Sequence, residues 1–133
     1  MPAKFFTVEE ANALLPEIEP LMLSLQRLNQ ELLEVRGRMA AWQWKARANG
    51  HLAMPDLEAD ARRARELAEE VQALVRRVEA LGCEVKDLDL GLVDFPALRN
   101  GRPVYLCWRL GEPQVAYWHE LDTGFAGRRP IDW

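Results

Sequence analysis

The stretch Pro103–Leu121, PVYLCWRLGEPQVAYWHEL, decides the fold. Val104, Leu106, Trp108 and Leu110 alternate with Tyr105, Cys107 and Arg109. A period of two is that of a strand with one face in a core. Gly111, Glu112 and Pro113 interrupt the pattern, and it resumes with Val115, Tyr117 and His119 alternating with Ala116, Trp118 and Glu120. Two such runs predict a β-hairpin with a turn of about three to five residues. The turn length sets the register, and the register decides the chemistry. With a loop of four, Cys107 faces Trp118 and His119 turns to the other side, beside Leu106; with a loop of three or five, Cys107 and His119 share a face. Both registers are open at this level.

Upstream of this stretch the pattern is helical. Thr7 and Glu10 in FTVEEA form a capping box, each satisfying a free backbone N–H of the other. Ala11, Leu14, Ile18, Leu21, Leu25, Leu28, Leu32, Val35, Met39 and Trp42 then recur at alternating steps of three and four, a coiled-coil-like stripe. Pro16 and Pro20 interrupt it. A proline inside a helix costs about 3 kcal/mol, so a helix boundary is expected between Leu14 and Pro16, with a kink after it. Asn49, Gly50 and Pro55 in ARANGHLAMPD read as a turn into a second helix. That helix carries Leu57, Ala61, Ala64, Leu67, Ala68, Val71, Leu74, Val75, Val78 and Leu81, and stops at Gly82. Two long helices joined by a short loop pack antiparallel. Beyond them, EVKDLDLGLVDFP offers short strands parted by Gly91. The predicted fold is α+β: a long antiparallel helical hairpin with a kinked N-terminal helix, packed with a small antiparallel β-sheet. Residues 1–133 form one domain, with the hairpin over 7–82 and a β-rich tail over 83–133.

Composition agrees with an ordinary globular chain: 133 residues, 49% hydrophobic and 29% charged, with a formal net charge of −4. An acidic chain of pI about 5.3 has no general attraction to nucleic acid or anionic lipid. No signal pattern opens the sequence, and no apolar run approaches the roughly 20 residues of a membrane span. The two cysteines, Cys83 and Cys107, fit a reducing compartment and no disulfide framework. A cytoplasmic location is expected.

The tail holds the candidate chemistry. On one face, Cys107 and His119 would make a nucleophile–base pair or half of a metal site. Asp87, Asp89, Asp94, Glu112, Glu120 and Asp122 could complete an oxygen-rich site for a divalent metal, with His119, Glu120 and Asp94 as its expected ligands. His51, after Gly50, reads as solvated. In TGFAGRRP, Gly124 and Gly127 can present backbone N–H groups to an anion, and Arg128 offers a bidentate fork. Otherwise Arg128 pairs with Asp94, Glu120 or Asp122. The ligand-binding candidates are therefore Asp94, Cys107, Glu112, His119, Glu120 and Arg128. On the hairpin, Arg36, Arg38, Lys45 and Arg47 surround Trp42 and Trp44, against an acidic first half of the helix. This basic tip suits a solvated end, a contact with a second copy, or weak stacking on single-stranded nucleic acid.

FTVEEANALLP, GLVDFPA, YLCWRLGE and YWHELDTGFAGRRPI together resemble the bacterial domain of unknown function 2203, over essentially the whole chain and with no departure in the tail motifs. The resemblance implies a small bacterial protein whose distinguishing residues lie in the tail. It carries no established activity and no catalytic residues. The leading expectation is a homodimeric interaction or assembly module, with a further protein partner compatible with the same helix faces. The alternative is a small-ligand or metal site in the tail, with enzymatic use open, and after it weak nucleic-acid binding at the tip.

Overall fold

A computed structural model describes residues 4–49 and 54–133. Helix α1 (Val8–Asn49) and helix α2 (Met54–Glu79) form the hairpin. The capping box forms as expected: Thr7 N–H donates to Glu10 Oε1 at 2.9 Å, and Glu10 N–H donates to Thr7 Oγ1 at 3.1 Å. Arg63 pairs with Glu31 at 2.8 Å and Arg38 with Asp60 at 3.2 Å, so positions rise along one helix as they fall along the other. The expected turn at Gly50 and the position of His51 lie outside the described residues.

The boundary expected between Leu14 and Pro16 is absent, and α1 runs through both prolines. Pro16 and Pro20 are exposed, while Ala11, Leu15, Ile18, Met22 and Leu25 continue as one buried row past them. Packing of that row holds the helix together where two backbone hydrogen bonds are missing. Leu15 and Met22 are buried, whereas Leu14 and Leu21 of the expected stripe are only partly so. Near its start α1 is covered by the sheet as well as by α2, so its apolar face is wider than a two-helix seam. Among the described residues, no helix is long and apolar enough to cross a membrane.

Strands β1 (Glu84–Asp87), β2 (Leu92–Arg99), β3 (Arg102–Arg109), β4 (Tyr117–His119) and β5 (Arg129–Pro130) form one antiparallel sheet in chain order. Asn100 and Gly101 join β2 to β3 with φ of 52° and 77°. These left-handed values are those of a type I′ turn, whose twist matches the strands it joins. The turn places Arg99 opposite Arg102 and Asp94 opposite Cys107. Between β3 and β4 the connection covers residues 110–116, longer than the expected turn. Its shape comes from elsewhere in the chain. Val115 N–H donates to Asn12 Oδ1 of α1 at 2.7 Å, and Trp108 Nε1–H donates to the Glu112 carbonyl at 3.0 Å. The resulting register pairs Tyr105 with His119 and Cys107 with Tyr117. Cys107 and His119 therefore share a face.

Val93, Phe95, Ala97, Val104, Leu106, Trp108 and Trp118 face the helices and form the core with Ile18, Met22 and Leu25. Asp94, Pro96, Tyr105, Cys107, Tyr117 and His119 occupy the opposite face. Among the described residues, neither α1 nor α2 packs on that side. Part of it is roofed by the segment after β4, where Leu121, Gly124 and Phe125 approach Asp94, Cys107 and His119.

Candidate functional site

Among the described residues, the buried polar or charged side chains are Asp94 and His119, and buried Cys107 lies beside them. One ligating atom from each of the three residues lies within 4.8 Å of the others. β2 and β3 bring Asp94 opposite Cys107, and β4 adds His119 diagonally from Cys107. His119 Nδ1 is 2.7 Å from the Glu120 carbonyl oxygen. A carbonyl only accepts, so Nδ1 carries a proton. His119 Nε2 is then free to face Asp94 Oδ2, 3.0 Å away. That contact needs one shared proton, either as carboxylic acid with neutral imidazole or as carboxylate with imidazolium. Burial pushes the Asp94 carboxyl above its usual range, and the neighbouring His119 and Lys86 pull it back in part. Burial likewise pushes the Cys107 thiol up to about 12, with Asp94 adding to the rise. Cys107 is thus a thiol at neutral pH, although Arg128 Nη1, 4.0 Å from its sulfur, favours the thiolate.

A cavity of about 130 Å³ opens onto these atoms, lined also by Lys86, Leu92, Tyr105, Leu121, Gly124 and Phe125. A larger hollow, about 680 Å³, lies against the start of α1, where Val8, Leu15, Pro16 and Pro20 meet Pro113 and no ligating triad is present. The chemistry sits in the smaller one.

Arg128 does not pair with Asp94, Glu120 or Asp122. It grips Glu112 with both arms, Nη1 to Oε1 at 2.9 Å and Nη2 to Oε2 at 2.6 Å. Its guanidinium lies 4.0 Å from the ring centre of Tyr117 and 4.5 Å from that of Phe125. A single 3-10 turn, Phe125–Gly127, sends the chain back along β4, so Arg128 arrives beside the 110–116 connection, away from the acids of the outer loops. Gly124 has φ 65° and ψ −166°, a conformation open essentially to glycine. Gly127 is required for contact, since a Cβ there would lie 2.6 Å from Thr123 Cβ. Two N–H groups at the end of this turn are bonded within it, that of Gly127 among them. Gly127 N–H donates to the Gly124 carbonyl and Arg128 N–H to that of Phe125. Burial alone would raise the Glu112 carboxyl, but Arg128 and the Arg109 N–H, 2.7 Å from Oε1, outweigh it and hold Glu112 below the usual carboxylate range.

Glu120 also departs from expectation as a ligand. Adjacent strand residues point to opposite sides, and its carboxylate bonds Arg102 at 3.0 Å, outside the cavity. What Glu120 contributes is its carbonyl, which fixes the His119 ring. The converging set is Asp94, Cys107 and His119, with the Glu112–Arg128 pair next to the cysteine. Asp87 instead accepts the Leu90 N–H at 2.9 Å, closing a turn.

Tyr105 and Lys86 enter the site without having been singled out in the sequence. The Tyr105 hydroxyl donates to Glu84, with its oxygens at 3.1 and 3.0 Å, and its ring centre is 5.5 Å from that of His119. Lys86 pairs with Glu84 at 2.8 Å and lies 4.7 Å from the Tyr105 ring centre. Tyr105 stands two residues before Cys107, so alternation alone marks it as a neighbour. Lys86 has no such signal, because a bulge shifts the register between Val85 and Asp87.

A nitrogen, a sulfur and an oxygen converging under a cap match a metal centre with three protein ligands. Around a tetrahedral zinc, such atoms stand about 3.3–3.8 Å apart, from bond lengths of about 2.0–2.3 Å. The present spacing, 3.0 Å for Nε2 to Oδ2 and within 4.8 Å for the set, is close to that with small side-chain shifts.

Comparison with known proteins adds a family. No curated protein and no solved structure matches the chain. The model of a family described as an uncharacterized conserved protein, DUF2203, matches residues 4–131. Spanning nearly the whole chain, the match identifies it as a member of the DUF2203 family.

Proposed function

We propose that the protein binds a divalent transition metal of the zinc class through Asp94, Cys107 and His119, leaving a fourth position open to the cavity. The observation that carries this is the convergence of three buried ligating atoms within 4.8 Å on the sheet face away from α1 and α2. Burying a carboxylic acid and an imidazole is costly and offset by their hydrogen bond, and buried titratable groups that face a cavity are functional-site candidates. Two anionic ligands neutralise a dication, so metal binding removes the electrostatic reason for Asp94 and Cys107 to stay protonated. The sulfur favours zinc, cobalt or iron over magnesium or calcium. The His119 Nδ1–H bond to the Glu120 carbonyl is the outer-shell contact that metal-bound histidines use to fix ring and tautomer. Three protein ligands with an open fourth position is the arrangement of hydrolytic zinc sites, where the metal lowers the pKa of a bound water.

The test is metal uptake by purified protein, read by elemental analysis and by cobalt substitution. One equivalent per chain is expected, with a thiolate-to-cobalt charge-transfer band in the near ultraviolet. Cys107→Ala should abolish the band, and His119→Ala should abolish stoichiometric uptake. No uptake by the wild type would overturn the proposal.

Assembly through the hairpin is a second reading. Leu33 is 49% exposed and Trp44 is 70% exposed on α1. Glu17 and Glu19 lie on one side of Leu33 and Lys45 and Arg47 on the other, so an antiparallel second copy would match opposite charges about Leu33. Sedimentation at micromolar concentration should show a dimer that Leu33→Glu dissociates without unfolding. A wild-type monomer would sink this reading.

A further inference from the structure

We infer that the ligand of this site is a soluble amphiphile, with an anionic head that meets the metal position and a short unbranched apolar tail that lies in the hollow next to Tyr105; the inference rests on the metal reading above. The cavity over Asp94, Cys107 and His119, about 130 Å³, is too small for more than a head group. Beside it lies a second hollow of about 390 Å³, lined by Phe5, Pro96, Pro103, Val104, Tyr105 and Leu121, with Glu84 at its edge. Tyr105 and Leu121 line both spaces. The two spaces adjoin across these two side chains, on one face of the sheet. Pro96 lies opposite Tyr105 and two residues from Asp94, and Pro103 two residues before Tyr105, so all four stand on the outer face.

The hollow is mainly apolar, with Glu84 and Tyr105 as its polar lining residues. Its charged neighbour, Glu84, already accepts from the Tyr105 hydroxyl and from Lys86, so it leaves little to reward a polar tail. Leu121 is 55% exposed at the join, where a tail crossing from one space to the other would cover it. Lys86, paired with Glu84 at 2.8 Å, lines the small cavity, where its ammonium has further N–H groups to offer an anionic head. Head and tail preferences are thus set by different residues and can be separated by mutation.

The experiment uses zinc-loaded full-length protein and the straight-chain carboxylates from acetate to octanoate, with zinc content measured on the same samples and affinity by calorimetry. Affinity should rise about four-fold per added methylene over the first several, the conversion of about 0.8 kcal/mol per buried CH₂. Pro103→Asp, at a residue that lines the tail hollow and not the cavity over the three ligands, should retain one zinc per chain yet flatten that rise, while acetate affinity stays within about two-fold of wild type. A flat series in zinc-loaded wild type overturns the tail inference and leaves the metal reading standing. An equally steep series in Pro103→Asp, the mark of non-specific adsorption, also overturns it. Failure of the wild type to take up zinc overturns both.

Discussion

On the side of the sheet that the helices cover, Val93, Phe95, Leu106 and Trp108 pack with Ile18 and Met22. One residue along each strand, on the other side, stand Asp94, Tyr105 and Cys107. The same strands serve both sides. The inner face is apolar and sealed by two helices. The outer face buries Asp94, Cys107 and His119 beside Leu92 and Pro96, and among the described residues the returning segment around Phe125, held by Arg128, roofs them. Apolar burial stabilises wherever it occurs, so the inner face explains why the chain folds. A buried acid and imidazole do not stabilise by burial alone, and the proposed metal site gives the outer face a reason to keep them. Substitutions on the two faces should therefore differ in kind: inner ones remove stability and all function with it, outer ones remove binding and spare the fold.

The largest effect belongs to the inner face. Trp108 is fully buried and its indole N–H holds the Glu112 carbonyl. Trp108→Ala should cost about 3–5 kcal/mol in urea unfolding, the range for a large aromatic removed from a core. By contrast Cys107→Ala, on the same strand, should cost about 1 kcal/mol while losing the metal. Similar losses from the two would break the distinction between the faces.

Next comes the strut between the roof and the strands. Arg128→Ala leaves the Glu112 carboxylate without its partner and strips the guanidinium from between Tyr117 and Phe125. The pair is partly buried, with 17% and 19% of the two side chains exposed. The loss should be about 2–3 kcal/mol in a thermal or urea melt, between the values for surface and fully buried pairs. Arg128→Lys should recover only part, because an ammonium cannot reproduce the two-armed bond. A loss below about 1 kcal/mol would place the pair among surface contacts, and the roof would then be held by packing alone.

Much of this architecture was legible in the sequence, and the parts that were not have identifiable causes. The helical stripe and the capping box gave both helices, because their signals are local. Asn100-Gly101 is a two-residue turn signal which, counted back along the strands, sets Asp94 opposite Cys107. Alternation also separates Glu120 from His119, so Cys107 is the better third ligand on pattern alone. The position of His119 relative to Cys107 is different. It depends on the 110–116 connection, which Asn12 holds from 103 residues away, and no local rule reaches that far. Nor does propensity reveal that α1 survives Pro16 and Pro20, since the buried row that carries it through is a property of the packed fold.

The smallest effect separates the two carboxyl groups that border Cys107. Glu112 titrates below its ordinary value of 4.5 in the folded protein, because Arg128 and the Arg109 N–H outweigh the burial that would raise it. Between the folded and unfolded values the unfolded chain binds more protons, so stability rises with pH there. The contribution of Glu112 is present above about pH 4.5 and is lost as the pH falls through its folded value. Asp94 acts in the opposite sense, since burial raises its carboxyl. Comparing wild type with Glu112→Gln isolates the first from the second, because Asp94 is common to both. At pH 7 the variant should be less stable by about 1–2 kcal/mol, with the neutral amide still accepting one bond from Arg128. Urea melts from pH 7 to pH 3 should show that gap closing below about pH 4.5, with the wild-type curve falling toward that of the variant. A gap that stays constant with pH would mean that the loss on substitution is one of shape and packing, and that the charge on Glu112 contributes nothing to holding the roof over the site.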